Sequence, residues 1–453
     1  MTDFMDLAQT LQTLFTQEAE DAARLTGFVH RASPLTGARF LQTLVFGWLH
    51  APDASLDDLA ELAADLGADV TPQALDKRFN PSASQYLVNV LTAALQRVVT
   101  AKAAALPLLQ RFHGVYVFDT TTISLPAALA PLFPGCGGKP GQGLAALKCH
   151  VGVELTTGAL DLALGAGRQP DVCSELGQGP LPAGALRLAD RGFFDLQVLS
   201  DYDRQGVYWI SRLPARLSLY DNAGQKWSLA DWLAAQNADR LDGSVHVGES
   251  ARLPCRLLAL RLPAAVVAKR RKRLLRQAKK KGRTVSRQQE ILCGWHVCIT
   301  NAPASLLSVA EVGVLLGARW QIELLFKLWK SHGGVDRSRG RRALRVLCEV
   351  YAKLLAMVVQ HWTLLVCVGS FVQWSYPKAA RRLRRQALRM ALSLSVPSLV
   401  VEILLVLRQR LQRRCRVQGR GERPSTWQRL LNPDAFAFQA AEQPADDSNT
   451  MAA

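Results

Sequence analysis

Hydrophobic positions recur with two different periods, and the change between them divides the chain. Residues 1 to about 105 carry apolar residues at helical spacing. Within them Ser55 can cap a helix with Asp58 at its third position, Gly67 can end it, and Thr71-Pro72 can start the next, "TPQALDKRF". That is helix-turn-helix spacing, which would offer Gln73, Lys77 and Arg78 to DNA, although an ordinary helical hairpin carries the same signals. From about residue 113 the period becomes strand-like. "HGVYVFDTTTISLP" predicts a strand ending near Asp119, and "ALKCHVGVELTTGALDLALG" a hairpin turning at Thr156 to Gly158. "GALRLADRGFFDLQVLSDYDRQGVYWISRL" then predicts strand, helix and strand. Asp190 falls at the carboxyl end of the first, the place in an α/β layer where chemistry gathers.

Residues 214–301 are strand-rich and read as an insertion into this α/β core. They also contain "KRRKRLLRQAKKKGR", in which ten of the fifteen residues from Lys269 to Arg283 are basic. Phosphate contact, with Arg270 and Lys272 among the contacts, is weighed there against a solvated loop. "ARWQIELLFKLWK", residues 318–330, predicts a helix that is apolar nearly all round. Its Arg319, Glu323, Lys327 and Lys330 fall at roughly 0°, 40°, 80° and 20° on a helical wheel, one narrow stripe that also takes in Leu316 at about 60°. Beyond it the chain is helical and Arg-rich, and ends in a polar tail expected to be disordered.

Charge directs the reading toward a polyanion. The 453 residues include 55 Lys and Arg against 37 Asp and Glu, a formal charge of +18. Nucleic acid is the first candidate and an anionic membrane the second. The nine cysteines are scattered with no C-x-x-C pair, which suggests neither a disulfide framework nor a zinc site and fits a reducing cytoplasm. Residues 1–25 are acidic and amphipathic, unlike a secretory signal. The most apolar stretch, Leu354 to Val372, is interrupted by Gln360, His361 and Thr363 and is expected to be a buried core helix, with no membrane partner.

Three carboxylates stand out by context: Asp119, Asp190 and Glu323. Converging carboxylates can hold a pair of hard divalent ions that stabilise the attacking and leaving oxygens of a phosphodiester displacement; magnesium suits such oxygen ligands, with manganese as a substitute. For Glu323 the alternative is a helical pair with Arg319 or Lys327. "PGCGGKPGQG" at 134–143 lacks the residues of a phosphate loop, since Phe133 and Pro140 stand where Gly and Ser or Thr are needed, and is expected to be a flexible loop. His150, His246, His296, His332 and His361 fall in no metal-ligand spacing and read as structural.

"FDTTTISLP", "LADRGFF" and "RWQIELLFKLWK" resemble the three acidic motifs of DDE transposases with an RNase H-like core. The resemblance is to insertion-sequence family four, whose third motif is Y-x2-R-x3-E-x6-K, and it covers about residues 115 to 345. Arg319, Glu323 and Lys330 match that spacing; Leu316 stands where the motif has tyrosine. The resemblance implies that Asp119, Asp190 and Glu323 hold metal while Arg319, Lys330 and Lys327 grip phosphate. Trp295, 28 positions before Glu323, would stack on a flipped base as a DNA hairpin forms, the alternative being a core tryptophan in a strand. Its expected partners are double-stranded DNA, as terminal inverted repeats and target, and a second copy of the chain. The implied organisation is a helical DNA-binding region (1–105), an RNase H-like core in two parts (106–213 and 302–370), a β-rich insertion (214–301) and a helical basic C-terminal region (371–453). The rival is a transposase-derived DNA-binding repressor or inhibitor with a decayed site, which Leu316 alone favours. A structure-specific nuclease is a third option.

Overall fold

The computed structural model describes residues 2–102, 105–136, 144–214, 217–369, 374–416 and 424–440. They form two compact units, one of Met1–Ala104, Thr120–Gln169 and Gln321–Gln418, the other of Ala105–Asp119, Pro170–Trp320 and Gly419–Ala453. Most of the loop at 134–143 and the end of the tail lie outside the described residues.

The first unit opens with helices α1 (Phe4–Phe15), α2 (Gln17–Leu25), α3 (Gly37–His50), α4 (Leu56–Asp65), α5 (Pro72–Lys77) and α6 (Pro81–Leu95). Ser55 and Asp58 form a reciprocal capping box on α4, Gly67 takes φ +81° after it, and Thr71 caps α5 with Pro72 at its first position, as the sequence predicts. Strand β1 (Val115–Leu125) does not stop near Asp119 as expected. The β-branched run Thr120, Thr121, Thr122, Ile123 favours extended backbone and carries it on to Leu125. Strands β2 (Ala145–Glu154) and β3 (Leu160–Ala166) form the expected antiparallel hairpin, which turns through Gly158 at φ +77°.

The second unit continues with the short helix α7 (Glu175–Gln178), then β4 (Leu186–Ala189), α8 (Leu196–Arg204) and β5 (Tyr208–Arg212), the predicted strand, helix and strand. Next come β6 (Leu219–Tyr220), β7 (Lys226–Trp227), α9 (Leu229–Ala234), β8 (Arg240–Val247), β9 (Leu253–Arg261), α10 (Ala264–Lys280), α11 (Arg287–Cys293), β10 (Trp295–Thr300) and α12 (Val309–Ala318). Its strand order is β1-β4-β5-β10-β9-β8-β6-β7. The β1–β4 and β4–β5 pairs are parallel and the rest antiparallel. Trp209, Tyr202, Val245, Val247, Leu257 and Ile299 lie in one core that joins α8 to the strands. The basic run is therefore helix α10, whose side chains are almost all outside the core.

The predicted helix over 318–330 is not continuous. Arg319 separates α12 from α13 (Trp320–Lys327), and Leu328–His332 widens into a π turn closed by Gly333 N–H donating to Leu328 O at 3.0 Å. Leu316 is buried on α12, so one helical wheel does not carry from it to Lys330.

Helix α14 (Ala343–Val368) is long and apolar enough to cross a membrane, yet it is covered by α1, α3, α6, α15 (Tyr376–Arg384) and α17 (Pro397–Arg414) within the first unit. Inside it Lys353 Nζ meets Glu349 at 2.8 Å and donates to Gly334 O and Arg337 O, which satisfies a buried ammonium. Helices α16 (Ala387–Ser393), α18 (Thr426–Leu431) and α19 (Pro433–Ala440) complete the described chain; α18 and α19 pack on α12 in the second unit.

His361 of α14 reaches Gly158 O through Nε2 at 2.8 Å. Burial pushes its pKa from 6.5 down to about 4, against a smaller upward pull from the Gly158 carbonyl. Below pH 6.5 the unfolded chain takes up a proton that the folded ring refuses, so this group's contribution to stability falls between pH 6.5 and about 4. His361→Gln should flatten that part of the stability curve, as read by denaturant unfolding at several pH values. An unchanged slope would show that the ring titrates normally.

Candidate functional site

The β1–β4 register decides where the first two carboxylates lie. Phe118 pairs with Ala189 at the last rung of the parallel ladder, so Asp119 and Asp190 follow on neighbouring strands. Asp190 begins the turn Arg191–Phe193 without capping it through its side chain. Arg319 lies between the two: one guanidinium nitrogen is 2.8 Å from Asp119 Oδ2 and the other 3.8 Å from Asp190 Oδ1. Asp119 and Arg319 are 7% and 4% exposed, which keeps solvent screening small. A planar fork between two carboxylates cancels their mutual repulsion.

Two further arginines support this arrangement. Arg111, just ahead of β1, pairs with Glu311 in the first turn of α12 at 2.8 Å and donates to Leu306 O, so the helix that ends at Arg319 is tied to the strand bearing Asp119. Buried Arg187 on β4 donates to Gly177 O at 3.0 Å and to Phe193 O at 3.4 Å, and its guanidinium lies over the Tyr202 ring. It thereby holds the turn that follows Asp190. Burial draws the Arg187 pKa down, as expected for a cation with few partners. Isolated arginines carry no periodic signal, so nothing in the sequence marks these two.

Glu323, Lys327 and Lys330 belong to the other unit. Glu323 is buried in the first turn of α13 and Lys327 is exposed. Lys330, in the π turn, donates to Thr122 O on the second half of β1 at 3.0 Å. Among the described residues no three His, Cys, Asp or Glu side chains are grouped so as to hold a metal ion.

Residues 110–359, more than half of the chain, match the family model described as "Transposase DDE domain". The chain belongs to the DDE transposase family. It is similar to the transposase for insertion sequence element IS231F of Bacillus thuringiensis subsp. israelensis, 28% identical over 78% of this chain and 79% of that protein. The transposase for IS1151 of Clostridium perfringens is 26% identical over 76% of each chain. The putative transposase InsL for IS186A of Escherichia coli (strain K12) is 27% identical over 48% of this chain and 60% of its own.

Other residues that the sequence points to are placed unevenly in this transposase. Gln73 and Lys77 are exposed on α5, whereas Arg78 lies over the Phe28 ring at 4.5 Å, with its pKa lowered by burial. Asp76 ties α5 to Arg345 of α14 at 3.1 Å. On α10 Lys272 is exposed, but Arg270 turns inward and donates to Trp295 O at 2.9 Å. Trp295 is 4% exposed, packed with Leu233, Leu241 and Ala259, and the Arg261 guanidinium covers its ring at 4.3 Å. Removing so large a buried ring should cost about 3–5 kcal/mol. Trp295→Ala should therefore lower the thermal midpoint clearly, and an unshifted midpoint would mean that the ring spends its time outside this core.

Proposed function

We propose that this transposase cleaves and joins DNA strands at the ends of an insertion sequence by metal-dependent phosphoryl transfer. The observation that carries the reading is the pair Asp119 and Asp190 held side by side at the end of the β1–β4 ladder. Domains of this family generally use a divalent metal. A guanidinium already lies between these carboxylates, so the pocket suits positive charge, and its all-oxygen donors suit magnesium or manganese. Glu323 supplies the third carboxylate, by its place in the motif. Bound there, the ion would stabilise charge on the attacking and leaving oxygens.

The chain's own residues position the DNA. Arg319, Lys327 and Lys330 hold phosphates beside the scissile bond, where positioning and charge do the chemistry without a covalent enzyme intermediate. Water attacks the phosphorus first and breaks its bond to the 3′ oxygen, which leaves as a hydroxyl opposite a 5′ phosphate; that hydroxyl then attacks a phosphodiester of the opposite strand, expelling the 3′ oxygen of the flanking DNA as the hairpin closes. Trp295 stacks on the base flipped in that step, exchanging Arg261 for the base. In this reading the core is RNase H-like, residues 214–301 are its inserted domain, residues 1–105 hold the DNA ends, and two copies assemble on two terminal repeats in the cytoplasm. Leu316 at the motif's tyrosine position is the one feature that favours the rival, a DNA-binding repressor with a decayed site.

Labelled duplex carrying the element's ends, supplied with magnesium, separates them. Asp119→Asn, Asp190→Asn and Glu323→Gln should each abolish nicking while DNA binding persists, because each removes a ligand charge at nearly constant shape. Substantial nicking by any of them removes that residue from the site, and a wild type that binds the ends but never nicks them favours the repressor.

Helix α10 supplies a second, sequence-independent grip on DNA. Neutralising exposed Lys269, Lys272, Arg276 and Lys279 together should weaken binding to all duplexes alike. Every phosphate that thereby goes unneutralised should reduce the slope of log K against log salt by ~0.9, and an unchanged slope would leave α10 a solvated helix.

A further inference from the structure

The fork of Arg319 lies against one oxygen of each of the two carboxylates from which a divalent ion would draw its ligands. One nitrogen is 2.8 Å from Asp119 Oδ2 and the other 3.8 Å from Asp190 Oδ1, among side chains that are 5%, 10% and 20% exposed. A small divalent ion binds carboxylate oxygen at about 2.0–2.1 Å, so an ion set between the two carboxylates would meet the guanidinium at close range, like charge against like charge. We propose that Arg319 is an internal counter-ion that keeps divalent metal out of the Asp119–Asp190 pair until a DNA phosphate draws the guanidinium away. The proposal rests on the reading of the two aspartates as metal ligands.

Two further observations favour an exchange over a permanent bridge. Arg319 is the single turn residue between α12 and α13, and its long side chain can change rotamer without displacing either helix. Its planar fork also has an alternative partner of matching geometry, a phosphodiester, which binds guanidinium in the same two-pronged way as carboxylate. Removing the guanidinium without replacement would leave two buried like charges face to face. Loss of Arg319 from the pair and arrival of metal are therefore linked, and by reciprocity DNA and metal strengthen each other's binding. Premature metal loading, and with it cleavage away from bound DNA, is suppressed.

The test uses the full-length protein, no DNA, and manganese alone, with free Mn²⁺ read by electron paramagnetic resonance. Arg319→Gln should bind Mn²⁺ roughly ten- to a hundredfold tighter than wild type, the worth of a charged hydrogen bond no longer in competition. Adding Asp119→Asn to Arg319→Gln should erase that gain. A folded Arg319→Gln with no gain overturns the proposal, as does a gain that survives Asp119→Asn. If Arg319→Gln does not fold, the wild type decides: read against a blank of DNA alone, it should bind Mn²⁺ more tightly with a duplex end than without one, and equal affinity overturns the proposal. Cleavage that depends on Asp119 without a gain in Arg319→Gln would sink the exclusion role alone. A gain in Arg319→Gln with a wild type that never nicks DNA would sink the cleavage reading alone.

Discussion

Two carboxylates on adjacent strands are a constraint before they are a site. Neighbouring strands lie about 4.8 Å apart, so two carboxylates that follow the same rung in a partly buried setting repel each other. The register that pairs Phe118 with Ala189 places Asp119 and Asp190 in that position, and the surroundings answer the cost. Arg319 supplies the opposite charge, Arg111 fixes the helix that delivers it, and Arg187 holds the turn after Asp190. Behind them Trp209 and its neighbours lock β5 and β10 beside β4, so the register cannot slip.

Local chemistry is legible in the sequence wherever it alone decides the outcome. Caps at Ser55 and Thr71, the turn at Gly158 and the strand, helix and strand around Asp190 all form as predicted. Features that depend on distant partners are not legible in the same way. Periodicity ends β1 near Asp119 because the residues beyond it are polar, although their β-branched side chains favour extension. The one-residue turn at Arg319, whose side chain pairs with a carboxylate far along the chain, and the π turn after Lys327 are features that no helical wheel contains. The inward contacts of Arg270 and the packing of Trp295 against Leu233, Leu241 and Ala259 likewise depend on distant partners that the sequence does not mark. The acidic motifs are read from order and neighbours rather than from exposure, and Asp119 and Asp190 follow the last rung of the β1–β4 ladder.

Hydrophobicity alone gives α14 two readings, a span through lipid or the axis of a helical unit. Three polar residues along it favour the second, because they have partners: Lys353 in Glu349 and two carbonyls, His361 in Gly158 O, and Thr363 in the carbonyl one turn back. In lipid such groups would need partners from other spans. Here α14 itself, the β2–β3 turn and the loop after the π turn provide them, which makes α14 the common wall of the first unit.

The π turn at Leu328–His332 has a consequence for how such chains drift in length. A π turn is an α-helical turn with one residue inserted, retained at the expense of regular hydrogen bonding. Deleting a single residue there would restore a plain helix, yet would swing Lys330 off Thr122 O and change the count between Glu323 and the lysine. The segment is thus backbone that could shed a residue easily and a motif that cannot. Insertions and deletions among descendants of this gene should spare these five positions and collect in the loops on either side.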